Sequence, residues 1–164
     1  MKITIREALP KEAPQLTDIA FAAKRTWKYP EEYIQIWTDE LTITESYIKE
    51  NIVYVAEYQK RPVGFYSIVT LPKDKKIGDI SIEQGFWMDH LFIEPRYQHK
   101  GIGKQLMQHT INYCRENWID ELKVFVDPNA TGFYEKQGAR FVRQSPSSIQ
   151  GREIPIYAFH FEEE

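Results

Sequence analysis

A chain of 164 residues is long enough for one well-buried domain and short for two, and its 42% hydrophobic and 14% aromatic content suits a globular core. The formal charge of −3 gives no basic field for nucleic acid or an anionic membrane, and a single cysteine, Cys114, excludes an internal disulfide and a cysteine-rich metal site. No apolar run approaches the ~20 residues of a bilayer span and the amino terminus reads as a strand rather than a secretion signal, so a soluble, cytoplasmic protein is expected.

Ile3 and Ile5 alternate with polar neighbours in "KITIREA", predicting a short first strand. Pro10 and Pro14 bracket a helix start, and Leu16, Ile19, Ala20 and Ala23 form an apolar stripe running towards Trp27. After Pro30, a second helical region sets Tyr33, Ile34 and Trp37 at helical spacing, with 44–49 as a short continuation. "NIVYVAEY" (51–58) and "VGFYSIVTL" (63–71) read as strands joined by the turn "QKRP", a hairpin. The stretch "PKDKKIGDISIEQ" is expected to be a loop leading to the strand "GFWMDHLFI" (85–93). A helix from about 103 to 117 follows, with Met107, Ile111, Cys114 and Trp118 along one side. "LKVFV" (122–126) reads as a strand, "NATGFYEKQG" as a short helix closed by Gly138, and "ARFVRQS" and "IPIYAFHF" as a final strand pair. The closing Glu162, Glu163 and Glu164 read as a solvated tail. The order β-α-α-β-β-β-α-β-α-β-β predicts one α/β domain over 1–164, a mixed sheet flanked by helices.

Between the central strand and the long helix lies Gln98-x-x-Gly101-x-Gly103. Glycine at a helix start carries an entropic cost, so two of them ask for a reason. A Walker loop would need Gly at 98 and Ser or Thr at 105, and both positions hold glutamine. The dinucleotide fingerprint would need a third glycine where Leu106 stands. What remains is an anion seat. Backbone N–H groups from about His99 to Lys104, that of Ile102 among them, can point into one concavity at the positive end of the helix dipole. Side chains at 101 and 103 would block a phosphate, and Lys100 and Lys104 add charge. A glycine pair in a loop without a ligand is the alternative.

That motif, preceded by "DHLFIEP" and followed by "VDPNATGFYEKQGA", resembles the GNAT superfamily of acetyl-CoA-dependent N-acetyltransferases. The similarity is most specific over residues 87–140, and the closing "SPSSIQGREIPIYAF" resembles one bacterial branch. The resemblance implies a GNAT-like α/β (α+β) fold with a mostly antiparallel central sheet, and acetyl-CoA as co-substrate. It implies that the loop of Gln98, His99, Lys100, Gly101, Ile102, Gly103 and Lys104 cradles the coenzyme A pyrophosphate. The main chain of Leu91, Phe92 and Ile93 would pair with the pantetheine amides as another strand would. Asn129 would reach the cofactor, or else cap the short helix that follows it. Tyr134 stands at the family's tyrosine position. A tyrosine near pKa ~10 can share its proton with a departing thiolate near ~8.5, whereas its alternative is a core aromatic.

The base position departs from the family pattern, because Trp87 stands where many relatives carry glutamate. The branch resembled here has an acidic residue followed by histidine, matching Asp89 and His90, and Glu83 is a third candidate. Alternation sets Asp89 with Trp87 on one face of the strand and His90 on the other. Trp27, Tyr29, Tyr33 and Trp37 are packing aromatics or, with Trp87, walls of an acceptor pocket. Arg152 either meets an acceptor carboxylate or lies solvated on the surface. His90, His99, His109 and His160 show no ligand spacing, so no metal is expected. The leading expectation is an N-acetyltransferase acting on a small-molecule amine or a protein amino group. A non-catalytic acyl-CoA-binding or sensing module is the alternative. Monomer and homodimer both stay open. Nucleic acid and membrane partners are not expected, since Lys73, Lys75 and Lys76 are a short cluster in a net acidic chain.

Overall fold

The computed structural model describes residues 1–161, and the acidic triplet Glu162, Glu163 and Glu164 lies outside the described residues. The chain runs β1 (Thr4–Glu7), α1 (Ala13–Arg25), α2 (Glu31–Ile36), α3 (Thr38–Leu41), α4 (Glu45–Glu50), β2 (Ile52–Tyr58) and β3 (Arg61–Leu71). It continues through β4 (Lys75–Ile77), β5 (Ile80–Ile82), β6 (Gly85–Ile93), α5 (Ile102–Glu116), β7 (Glu121–Phe125), α6 (Thr131–Lys136), β8 (Arg140–Pro146) and β9 (Glu153–His160). The fold is α/β, with a mostly antiparallel sheet flanked by helices. Two compact units form, one of Met1–Ile68 with His90–His109, the other of Val69–Asp89 with the chain from Thr110 onward. Among the described residues no helix is long and apolar enough to cross a membrane.

In the first unit the strand order is β1-β2-β3-β6, with β1–β2 and β2–β3 antiparallel. The β2–β3 hairpin turns on Gln59 and Lys60, at φ of 51° and 66°, a left-handed pair that suits the twist of the strands without glycine. Helix α1 starts with Pro14 in its first turn and buries Ala13, Leu16, Ile19, Ala20 and Ala23, the expected stripe at helical spacing. The segment expected to continue the second helix is a helix of its own, α4. The Thr44 hydroxyl accepts the Tyr47 N–H at 3.0 Å and so starts a new helical turn there. Gly64 lets β3 approach its neighbours. A Cβ there would stand 2.9 Å from Ile93 Cδ1, 3.0 Å from the Phe92 carbonyl oxygen and 3.4 Å from Leu106 Cδ1.

The second unit has the order β6-β7-β9-β8, with β6–β7 parallel and the β7–β9 and β8–β9 pairs antiparallel. Two expectations change. The supposed loop after β3 contains the β4–β5 hairpin, turning at Gly78 with φ 57°. Gly78-Asp79 between Ile77 and Ile80 is a hairpin dipeptide that alternation alone overlooks. Trp118 does not continue the buried side of α5. The helix ends at Glu116, and Trp118 follows at φ 59° and 77% exposed. The buried side is Ile102, Leu106, Met107, Thr110 and Cys114. Gly138, at φ 102°, closes α6 as its spacing suggested.

The amino-terminal strand is held by an ion cluster. Arg6 donates to the Glu12 carboxylate at 2.7 and 3.0 Å and to Glu57 at 3.2 Å, and the Leu9 N–H donates to Glu12 at 2.8 Å. Burial works to raise the Glu12 carboxyl, but the Arg6 and Leu9 donors outweigh it and hold the group below its ordinary range. The charged form therefore stabilises the fold above the unfolded carboxyl's pKa, and that contribution fades as pH falls through the lower folded value. Glu12→Gln is expected to cost about 1–3 kcal/mol in urea unfolding at neutral pH. The gap from the parent protein should narrow as the pH drops below about 4.3; a constant gap would rule out the charge as its source. Gly64→Ala should cost about 1–3 kcal/mol, because the Phe92 carbonyl is backbone and cannot swing aside. An unchanged denaturation midpoint would show that β3 has room to shift.

Candidate functional site

In the first unit, β6 ends at Ile93 and the chain makes a 3-10 turn over Pro95–Tyr97 before α5. The Glu94 N–H donates to the Val63 carbonyl at 2.8 Å, and the Gln98 side-chain amide donates to the Ile93 carbonyl at 3.4 Å. The loop is thereby tied to the strand it leaves. His99 and Gly101 are left-handed, at φ of 62° and 83°, with Lys100 at negative φ between them. This alternation turns successive N–H groups to one side. Gln105 is the first residue here whose N–H reaches a carbonyl of the new helix, Gly101 O at 3.1 Å. Among the described residues no backbone carbonyl accepts from the N–H groups of 99–104.

Ile102 is buried and anchors the helix, whereas His99, Lys100, Gly101 and Lys104 are exposed and Gly103 is half-buried. A Cβ built on Gly101 meets nothing within 4 Å, so the space above this backbone is open. Free amide donors, a helix start, open space and two lysines fit a diphosphate. Leu91, Phe92 and Ile93, half-buried, precede this loop directly.

His90 is 8% exposed, with its ring 5.5 Å from Phe92, 5.9 Å from Tyr47 and 6.0 Å from Phe65. The Tyr47 and Ser67 hydroxyls share a 2.8 Å hydrogen bond beside it on the same unit. Sequence reasoning passed over both, since neither stands in a motif. Tyr33 joins Tyr29 and Trp37 in a ring cluster, while Trp27 lies beyond the end of α1 and is 45% exposed.

In the second unit, Tyr134 is buried on α6 and its hydroxyl donates to Met88 Sδ at 3.9 Å. Burial, and then the Asp127 carboxylate, push the phenol well above its ordinary range. Asn129 does not cap α6, whose N-cap residue, Ala130, has no side-chain cap; Asp127 caps the 3-10 turn ahead of that helix, Pro128–Ala130. Its Oδ1 accepts the Asn129 N–H at 2.9 Å and the Asn129 side-chain amide at 3.1 Å, leaving Asn129 exposed beside it. The Asp-before-Pro pattern carries that information in the sequence.

Asp89 is exposed near the end of this unit's share of β6. The Glu83 carboxylate accepts from Arg143 at 2.7 and 3.2 Å. These two residues stand 60 apart, so no local pattern announces the pair. Trp87 is buried, stacked on Phe125 at 4.9 Å, and donates its indole N–H to the Glu83 carbonyl at 2.8 Å. Arg152 is half-buried in the β8–β9 turn, where its carbonyl accepts the Ser147 N–H at 2.9 Å.

The Acetyltransferase (GNAT) family model matches residues 16–139, and the chain belongs to that family. Human (Homo sapiens) N-acetyltransferase 8 is 27% identical over 149 residues, which are 86% of this chain and 62% of the human protein. The chain thus spans less than two thirds of that relative's length. A spermidine N(1)-acetyltransferase of Thermoplasma acidophilum is 27% identical over 150 residues, 84% of this chain and 88% of that protein. The crystal structure of PaiA N-acetyltransferase from Thermoplasma acidophilum in complex with coenzyme A superposes with a TM-score of 0.72 at 21% identity, covering 98% of this chain and 100% of that one. That likeness is one of fold.

Proposed function

We propose that residues 1–164 act as a single N-acetyltransferase domain that moves an acetyl group from acetyl-CoA to a primary amine. The observation that carries the reading is the row of unpaired amides from His99 to Lys104 over left-handed Gly101, in a chain of this family. In this reading the amides of His99, Lys100, Gly101, Ile102, Gly103 and Lys104 bind the diphosphate, Lys100 and Lys104 neutralise it, and Gln98 braces the loop. The main chain of Leu91, Phe92 and Ile93 and the side chain of Asn129 hold the pantetheine. Acetyl-CoA, when bound, supplies an activated acyl thioester.

Tyr134 donates a hydrogen bond to the departing sulfur and shares its proton with it. Burial and the Asp127 carboxylate keep the hydroxyl protonated but make it a weaker acid, so complete transfer to a free thiolate is uphill. The Met88 thioether that it meets is a weak acceptor, and a thiolate is a better one. The amine's proton passes to a group on β6 or at its entry. Exposed Asp89, buried His90 and Glu83, which also accepts from Arg143, are the candidate acceptors. The relative named for spermidine supports an aliphatic amine as substrate.

Steady release of coenzyme A thiol from acetyl-CoA in the presence of an aliphatic amine tests the activity, and no release with any amine would overturn it. Gly101→Glu places a carboxylate in the open space over the loop and should weaken coenzyme A binding by at least about tenfold in calorimetry. Gly101→Ala carries the same backbone strain without the charge, so equal losses in both variants would remove the diphosphate assignment. Tyr134→Phe keeps the ring and should lower turnover by ~10²–10⁴-fold with coenzyme A affinity almost unchanged. Wild-type turnover in Tyr134→Phe with chemistry rate-limiting would dismiss Tyr134 as the acid.

A further inference from the structure

Between α1 and the ends of two strands lies a cleft of about 260 Å³ that the reaction above does not use. Helix α1 lines it with Asp18, Ile19 and Ala22, β3 with Arg61 and Pro62 at its start, and β6 with Glu94 just past its end. All six residues belong to the first unit. Ile19 and Pro62 are buried and Ala22 is half-buried, so the lining is apolar between its charged groups.

The charges in this lining are not all engaged. Glu94 is neutralised by Arg96, which donates to its Oε1 at 2.6 and 2.7 Å. Arg61 and Asp18 remain, one charge of each sign on different walls. Among the described residues neither takes part in an ion pair, with the other or with a third group. The Arg61 guanidinium is nonetheless held in place. Its Nη2 donates to the Tyr97 hydroxyl at 2.8 Å, its central carbon lies 5.6 Å from the Tyr97 ring centroid, and Tyr58 supports Tyr97 edge-on at 5.7 Å. A guanidinium carries five N–H donors, and the Tyr97 hydroxyl takes one of them.

Two opposite charges that do not reach one another suit a molecule that carries both itself. An ammonium would meet Asp18, and a carboxylate would meet the remaining donors of Arg61. The aliphatic part of such a molecule would cover Ile19, Ala22 and Pro62. A phosphate is unsuited, because two of the three charged residues lining the cleft are carboxylates. The volume falls below the roughly 300–1,000 Å³ of drug-sized ligand sites, which points to a solute the size of an amino acid.

We propose that this cleft binds a small zwitterion, an aliphatic amino acid, between Asp18 and Arg61. The site is separate from the loop of 98–104, and the inference does not rest on acyl transfer.

Glycine, β-alanine, 4-aminobutanoate and L-valine serve as probes, and butylamine and butanoate as controls that carry one charge each. Each is titrated into the full chain by calorimetry, with the Arg61 Nε–H resonance followed in parallel. At least one amino acid should bind with a Kd at or below about 1 mM and move that resonance, and both controls should bind at least about tenfold more weakly. Which amino acid binds best reads the spacing of the two charges. Asp18→Asn is isosteric at an exposed helix position and should leave the fold intact. That variant and Arg61→Gln should each weaken the binding about tenfold. No binding of any amino acid at ~10 mM, equal binding of a one-charge control, or undiminished binding in either variant overturns the site. Loss of binding when coenzyme A is saturating would assign the cleft to the cofactor and overturn it as well. None of these results bears on thiol release, which tests the acetyl-transfer reading by itself.

Discussion

The close approach of three elements at Gly64 sets the frame on which the loop before α5 hangs. β3 presents no side chain there, so the end of β6 and the first turns of α5 come within van der Waals distance of its backbone. The adjoining Val63 carbonyl then receives the Glu94 N–H, which fixes where β6 stops. From that stop, Pro95 starts the turn, Gln98 reaches back to Ile93, and left-handed His99 and Gly101 aim the amides. A helix of 15 residues cannot satisfy its own first N–H groups, and here they point into open space. The loop is thus positioned by packing and made receptive by an unavoidable property of helices.

Charge follows a similar economy. The chain is net acidic, yet Lys100 and Lys104 stand at the start of α5, while the segment from Glu31 to Glu45 carries only negative charge. Such local separation gives one small protein regions of opposite charge. The Glu12 cluster uses charge differently, as a fastening. Arg6 and the Leu9 amide occupy its carboxylate, and it serves the amino-terminal strand rather than a ligand.

Much of this was legible in the chain itself. The α1 stripe, the β2–β3 and β8–β9 hairpins, Gly138 and the Gln98-x-x-Gly101-x-Gly103 loop are local patterns, and local patterns are what a sequence displays. The β4–β5 hairpin escaped because three-residue strands offer too little alternation, although Gly78-Asp79 marks the turn. Trp118 was misplaced because helical spacing extrapolates past a helix end that only the left-handed backbone after Glu116 reveals. The contacts at and beside the candidate catalytic groups were hidden for another reason. Arg143 on Glu83 and Ser67 on Tyr47 are meetings of residues far apart in the chain, which folding decides. Asp127 was within reach, since an aspartate before proline is an ordinary cap.

Cys114 gives this protein a practical advantage. It is the chain's one cysteine, it has no exposed surface, and burial pushes its thiol up to about 12. Electrophilic dyes react with thiolates, which this side chain neither forms near neutrality nor presents to solvent. A colorimetric thiol reagent added to the folded protein would therefore give almost no signal from the protein itself, a clean baseline for the proposed thiol-release assay. A cysteine introduced at any chosen surface position would take up a spectroscopic label alone.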